Sequence, residues 1–299
     1  MSSTMSKIYP DKFVTVDGRK IRYIENGSGV PALLLHGASL GSSADVFRRN
    51  LAALGANGIR AIAFDLPGYG KSDRAEQQGA GYRKKFILGV MNALKLDKAA
   101  LIAHSASGNM AMSVAMAHPD RISHFVVLGT GSLLPPLESA GGGKVGGREA
   151  AAQSRLEDRM VRKEPTLADT RALLEANLYH HDLITDEELQ LRHDNSIGVA
   201  FEEFCARHEA GEQGNKGRKE EGKPLWQQLV DLKMPLLLIY GRNDRARAED
   251  RANLLKERYP QLNLHFAEGC KHLVPWDAAD LMHELTIPFL TGRKAAAAA

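Results

Sequence analysis

Short apolar runs alternate with helix-length segments along most of this chain. Residues 13–16 and 21–25 are two such runs on either side of Asp17-Gly18, a hairpin signal. Further runs lie at 31–35, 59–64, 99–103, 125–128, 236–240 and 262–266. The central runs are almost continuously apolar and do not alternate with polar residues. That is the pattern of parallel strands covered on both faces. Between them, segments 43–56, 82–96, 108–117, 246–258 and 276–290 are helix-compatible. Strands alternating with helices predict an α/β fold with a doubly wound sheet of eight strands, helices packed on both faces. The opening hairpin makes the sheet mixed but mostly parallel.

The alternation breaks between Gly131 and Trp226. This region holds Pro135-Pro136, a glycine-rich stretch at 141–147, charged amphipathic sequence to about His208, and a Gly/Lys/Glu-rich stretch at 211–224. The glycine-rich ends read as hinges and the middle as a helical cap inserted after a strand. The predicted organisation is a core in two parts, 1–132 and 225–293, interrupted by a cap at 133–224. Residues 294–299, a lysine and five alanines, read as a tail outside the fold.

Composition narrows the function classes. The chain has 299 residues, 43% hydrophobic and 25% charged, enough for a large core. Its 39 basic and 36 acidic residues give a net charge of +3, too balanced for a nucleic-acid or membrane partner. A small molecule is the expected partner, and self-association into a homo-oligomer stays open. The two cysteines, Cys205 and Cys270, are far apart and lack metal-ligand spacing, so they read as free thiols in a reducing compartment. The first eleven residues have no apolar signal core and no window reaches membrane-spanning length, so a cytoplasmic location is expected.

In open α/β sheets the chemistry gathers beyond the carboxyl ends of the strands. The run at 99–103 ends in His104-Ser105-Ala106-Ser107-Gly108 and passes at once into a helix-compatible segment. This is the strand–turn–helix setting of a nucleophile elbow, whose usual G-x-S-x-G pattern is met here in size only, by Ala103 and Ser107. A serine hydroxyl needs a base to take its proton, and that base needs a carboxylate to fix its tautomer. Asp244 follows the run at 236–240 and His272 follows the last run, so the order is Ser, Asp, His. The rivals are worse placed: His265 lies inside a strand, His283 on the predicted surface of the last helix, Asp250 in a helix, and Asp65 in a turn before Pro67-Gly68. His104 reads as a packed or polar elbow residue. An oxyanion needs two backbone N–H donors. Ala106 follows the serine, and Ala38 lies in the His36-Gly37-Ala38 turn after a buried strand. No metal site and no cofactor is called for.

With these residues the chain resembles the α/β-hydrolase superfamily over nearly its whole length. The markers are His36-Gly37, the 65–72 segment Asp-Leu-Pro-Gly-Tyr-Gly-Lys-Ser, the Ser105 elbow, His118-Pro-Asp-Arg-Ile122, Gly241-Arg-Asn-Asp244 and His272. Within it the chain is similar to the meta-cleavage product hydrolases, serine-dependent C–C bond hydrolases of bacterial aromatic degradation. The cap segment 178–192 carries the resemblance, Leu-Tyr-His-His-Asp-Leu-Ile-Thr-Asp-Glu-Glu-Leu-Gln-Leu-Arg, and so does Leu128-Gly-Thr-Gly-Ser132. Departures are His104 for the family's asparagine, Ala106-Ser107-Gly108 for Met-Gly-Gly, Leu273 for tryptophan, and Gly37-Ala38-Ser39-Leu40-Gly41 in the oxyanion loop.

The resemblance implies a cofactor-free hydrolase acting on a small, carboxylated, aromatic-derived dienone. A dienol is first ketonised and Ser105 then attacks the remaining carbonyl. Arg192 matches the arginine that binds the substrate carboxylate; as a bare residue it reads equally well as a solvated cap arginine. Gly37, Ser39 and Leu273, which flank the oxyanion and base positions, complete the candidate substrate-binding set. Two other readings use the same residues: an esterase or lactonase for which Arg192 is irrelevant, and a non-hydrolytic lyase or ligand receptor.

Overall fold

Asp17 and Gly18 both take positive φ, 49° and 78°, and turn the chain between β1 (Lys12–Val16) and β2 (Arg19–Asn26). This is the backbone a two-residue hairpin needs to match the strand twist. The molecule is described by a computed structural model covering residues 7–74, 80–137, 156, 160–214 and 222–293. The glycine-rich stretch 141–147, residues 215–221 of the second predicted hinge, and the 294–299 tail lie outside the described residues.

The remaining strands are β3 (Val30–Leu35), β4 (Ile59–Phe64), β5 (Ala99–His104), β6 (Ile122–Leu128), β7 (Leu236–Gly241) and β8 (Asn263–Ala267). They form one eight-stranded sheet in the order β1-β2-β4-β3-β5-β6-β7-β8. β2 pairs antiparallel with β1 and β4, and all other pairs are parallel.

The continuous apolar runs have the expected physical cause. In β3, Leu33 and Leu35 face one layer while Ala32 and Leu34 face the other. The first layer contains α2 (Ala80–Ala93), α3 (Ser107–Ala117) and α8 (Ala248–Arg258). The second contains α1 (Arg48–Ala56) and α10 (Ala279–Thr291). Each leucine buried this way contributes about 1.5–3 kcal/mol.

Two helices differ from the sequence pattern. The 43–56 segment begins with a 3-10 turn, Ala44–Phe47, because the Ser43 hydroxyl and carbonyl take the Asp45 and Val46 amides. The 276–290 segment is two helices, α9 (Val274–Asp277) and α10, broken at Ala278 with φ −129°.

An insertion separates β6 from β7. It carries α4 (Leu167–Asn177), α5 (Asp186–Asp194) and α6 (Val199–Gly214); the short α7 (Leu225–Gln228) follows, with Trp226 packed in the first layer of the core. A capping box starts α4, with Thr166 and Asp169 satisfying each other's amides. Met160, Leu173 and Phe204 of the insertion pack on Leu40, from the loop after β3. The insertion therefore sits on the carboxyl ends of the strands, over the predicted site. Among the described residues no helix is long and apolar enough to cross a membrane.

Candidate active site

The turn between β5 and α3 carries Ser105 at φ 57°, a left-handed conformation that costs a non-glycine residue about 1–2 kcal/mol. Three bonds hold it there. The Ser105 amide donates to the Leu128 carbonyl at 2.9 Å, and its carbonyl accepts from the Gly108 amide at 3.0 Å and the Thr130 hydroxyl at 2.7 Å. The tight packing explains the small neighbours. A Cβ on Gly108 would lie 2.2 Å from Thr130 Oγ1. Ser107, which stands where glycine is usual, donates its hydroxyl to the His36 carbonyl and ties α3 to the end of β3.

Ser105, His272 and Asp244 converge from three separate strand ends. His272 Nε2 lies 2.8 Å from Ser105 Oγ, and His272 Nδ1 lies 3.0 and 3.2 Å from Asp244 Oδ2 and Oδ1. A carboxylate can only accept here, so Nδ1 carries the proton and Nε2 is free to receive one from serine. Burial works against the Asp244 charge. The His272 imidazole, Arg245 and the Arg245 amide outweigh it and hold the carboxyl below the usual range. That amide donates to Asp244 Oδ1 at 2.7 Å.

The loop after β3 lies against the elbow. A Cβ on Gly37 would come within 3.0 Å of Ser105 Cβ and 3.1 Å of His104 Nδ1. The backbone amides of Ala38 and Ala106 have no hydrogen-bond acceptor among the described residues, and both alanines are exposed. His36 anchors this loop. The Leu66 amide donates to its Nε2 at 3.0 Å, so its Nδ1–H donates to the Gly37 carbonyl at 2.7 Å. Burial pushes the His36 pKa down to about 3. Tyr69 adds a second anchor through its hydroxyl, which donates to the Ala38 carbonyl at 3.1 Å.

Arg192 projects from α5 onto the same loop. It is 8% exposed, and its Nη2 donates to Ser39 Oγ at 2.8 Å. Its backbone fits closely too: a Cβ on Gly41 would lie 2.6 Å from the Arg192 carbonyl. Leu273 is buried one residue past His272 and immediately precedes α9.

The rival residues fall elsewhere. Asp65 is fully buried and orders a turn, accepting the Ala44 amide at 2.6 Å and the Lys71 amide at 2.8 Å beside Arg22. His265 bonds Asn263 on β8, and Asp250 pairs with Arg247 on α8. His283 was expected on the surface; it is half-buried, with Nε2 3.2 Å from Asn50 Nδ2, because α10 turns this face onto α1.

His104 has a role the sequence did not signal. Its Nε2–H donates to the His272 carbonyl at 2.8 Å, and the two rings lie 5.1 Å apart. Burial, with the His272 ring next to it, pushes its pKa down to about 3 and keeps it neutral. Asn177, at the end of α4 in the insertion, and Asp277, at the end of α9, also bond the loop that carries His272, and no local motif marks either. Among the described residues no group of three or more His, Cys, Asp or Glu side chains is placed to hold a metal ion.

Comparison with known proteins agrees with this architecture. A 2-hydroxy-6-oxononadienedioate/2-hydroxy-6-oxononatrienedioate hydrolase of Burkholderia vietnamiensis is 29% identical over 293 residues, covering 93% of this chain and 95% of the relative. A 2-hydroxy-6-oxo-6-phenylhexa-2,4-dienoate hydrolase of Burkholderia cepacia is 28% identical, covering 96% of this chain and 98% of the relative. Among solved structures, the 2-hydroxy-6-oxo-6-phenylhexa-2,4-dienoate hydrolase of a Rhodococcus strain superposes with a TM-score of 0.77. It is 20% identical and covers 96% of this chain and 99% of that one, a likeness of fold. The family model for the alpha/beta hydrolase fold matches residues 31–279, from β3 into α10, and the chain belongs to that family.

Proposed function

We propose that this protein is a serine hydrolase that cleaves a C–C bond beside a ketone in a small carboxylated dienone of the meta-cleavage type. The observation that carries the substrate class is the placement of Arg192. A cation that is always charged is buried against the loop that holds Ala38, within reach of Ser39. A solvated surface arginine has no reason to be there. A substrate carboxylate placed where the Ser39 hydroxyl now lies can accept two parallel charge-assisted bonds from the guanidinium. The names of the two curated relatives describe substrates with that carboxylate and a ketone beyond a diene.

The insertion acts as the cap, closing the site over the strand ends. In the proposed reaction the bound dienol first becomes its keto form: the 2-hydroxyl loses its proton, the double bonds shift, and the carbon beside the 6-ketone gains a proton. Ser105 Oγ then attacks the ketone carbon as its proton passes to His272 Nε2, and Asp244 stabilises the imidazolium. The new oxyanion lies between the Ala38 and Ala106 amides; each such donor is worth about 10² to 10³ in rate. Collapse breaks the C–C bond, and the departing carbon takes the proton from His272. A water then gives a proton to the same Nε2 as its oxygen bonds the acyl carbon; the second collapse breaks the bond to Ser105 Oγ, which takes that proton back from Nε2 as the acid leaves. Two free thiols support a cytoplasmic setting.

Stopped-flow absorbance with a panel of 2-hydroxy-6-oxodienoates tests the reading. Ser105→Ala should lose on the order of 10⁶ in kcat. Arg192→Met should lose about 10² or more in kcat/KM on dienoates, about 2.7 kcal/mol, with little effect on neutral esters. Unchanged dienoate turnover in Arg192→Met, alongside fast ester hydrolysis, identifies an esterase and overturns the C–C assignment.

A further inference from the structure

The segment carrying the base is not held by the core alone. Helix α4 ends at Asn177, and the last carbonyls of any helix lack partners within it. Here the base loop supplies them. The amides of His272 and Leu273 both donate to the Asn177 carbonyl at 3.1 Å, and Lys271 Nζ donates to the Glu175 carbonyl at 3.2 Å. The Asn177 side chain, 4% exposed, is committed at both ends. Its Oδ1 accepts from Arg245 Nη1 at 2.8 Å, and its Nδ2 donates to the Leu173 carbonyl at 2.7 Å.

One cap residue thus touches the base segment directly and reaches Asp244 through Arg245. Through its carbonyl it holds the His272 backbone, and through its amide oxygen it holds Arg245, whose own amide donates to Asp244 Oδ1. From the opposite side His104 holds the His272 carbonyl. Asp277 ties the same two segments together a second time. Its carboxylate accepts the Lys271 amide at 2.9 Å and the Tyr179 and His180 amides of the cap at 2.8 and 3.0 Å.

We propose that Asn177 is a positioning residue that sets His272 and Asp244 in register, so that seating of the cap and alignment of the base are one event. A cap that lifts takes the Asn177 carbonyl from the His272 amide and the Asn177 side chain from Arg245. The triad is then in line only when the cap is down over the substrate. This rests on the triad reading above and is independent of which bond is cleaved.

The test uses the full chain, a fluorophosphonate probe and p-nitrophenyl butyrate. Labelling of Ser105 in the wild type, read by mass spectrometry, checks the triad; failure to label there overturns the triad reading itself. Asn177→Ala and Arg245→Met each break the Asn177–Arg245 bond from one end. Each should slow labelling and lower kcat by about 10- to 100-fold, the scale of a misplacement near 1 Å, while KM stays within about threefold. The double variant should be no worse than the more damaged single one, because both remove the same bond. Either single variant within twofold of wild type, a loss confined to KM, or two defects that multiply would overturn the proposal. Should Asn177→Ala fail to fold, Arg245→Met, changing a half-buried side chain, decides on the kcat and KM criteria.

Discussion

Asp244→Asn is a near-isosteric change whose consequence can be worked out atom by atom. Asp244 Oδ1 accepts the Arg245 amide at 2.7 Å, and Oδ2 is the nearer oxygen to His272 Nδ1 at 3.0 Å. An asparagine must keep its oxygen on the Arg245 amide, since an NH2 group there would meet an N–H. Its NH2 therefore takes the Oδ2 place and donates to His272 Nδ1. The imidazole is forced to carry its proton on Nε2, 2.8 Å from Ser105 Oγ, where it has no lone pair to receive the serine proton. The fold loses little, but the base is in the wrong tautomer. A fall of about 10⁴ in kcat is expected, close to 5.4 kcal/mol at 1.36 kcal/mol per decade. Steady-state kinetics on a dienoate and on p-nitrophenyl butyrate, with a thermal melt as control, measure it. KM should change far less than kcat. A variant that melts normally and retains kcat within tenfold would refute the assignment of Asp244 as the orienting acid.

Tyr69→Phe removes the hydroxyl that holds the Ala38 carbonyl and should lower kcat by about three- to tenfold, the worth of one hydrogen bond of about 1 kcal/mol; an unchanged kcat would show that His36 alone sets the loop. Acid should destabilise the fold. His36 and His104 are neutral in the native state with pKa values of about 3, against about 6.5 in an unfolded chain, so the unfolded state binds more protons between these values. Stability from both is complete above about pH 6.5 and is lost as pH falls toward 3, while Asp65, pushed up by burial to about 6, acts in the opposite sense from about pH 6 to 4. Urea unfolding from pH 7 to 4 should show this loss, and His104→Asn should flatten the slope by up to one proton; an identical slope in the variant would disprove the buried neutral state of His104.

Most of the sheet was legible because its signal is local. A strand buried on both faces must be apolar throughout, so β3, β4, β5 and β7 were visible as runs within one residue of their ends, while β6 begins three residues before its run because Ser123 and His124 interrupt the apolar pattern. The break at Ala278 was not visible from helical spacing; the Asp277 carboxylate beside it accepts the Tyr179 and His180 amides, 98 and 97 residues away. The Ser105 turn was readable despite its atypical flanks, since size alone decides what fits beside Thr130. His283 was misplaced because helical spacing does not show which neighbour a face meets.

By itself the sequence determined the alternation of strands and helices, the chain order of Ser105, Asp244 and His272, and the small residues that let the elbow close. Each of these depends on residue type and near neighbours. Only the tertiary structure decided what Arg192, His104 and Asn177 touch. Arg192 is 153 residues from the Ser39 hydroxyl it meets, and His104 is 168 residues from the His272 carbonyl it holds. Whether an arginine is solvated or buried, or an asparagine carbonyl caps a helix or a catalytic loop, depends on how two distant segments pack. No spacing within either segment encodes that contact.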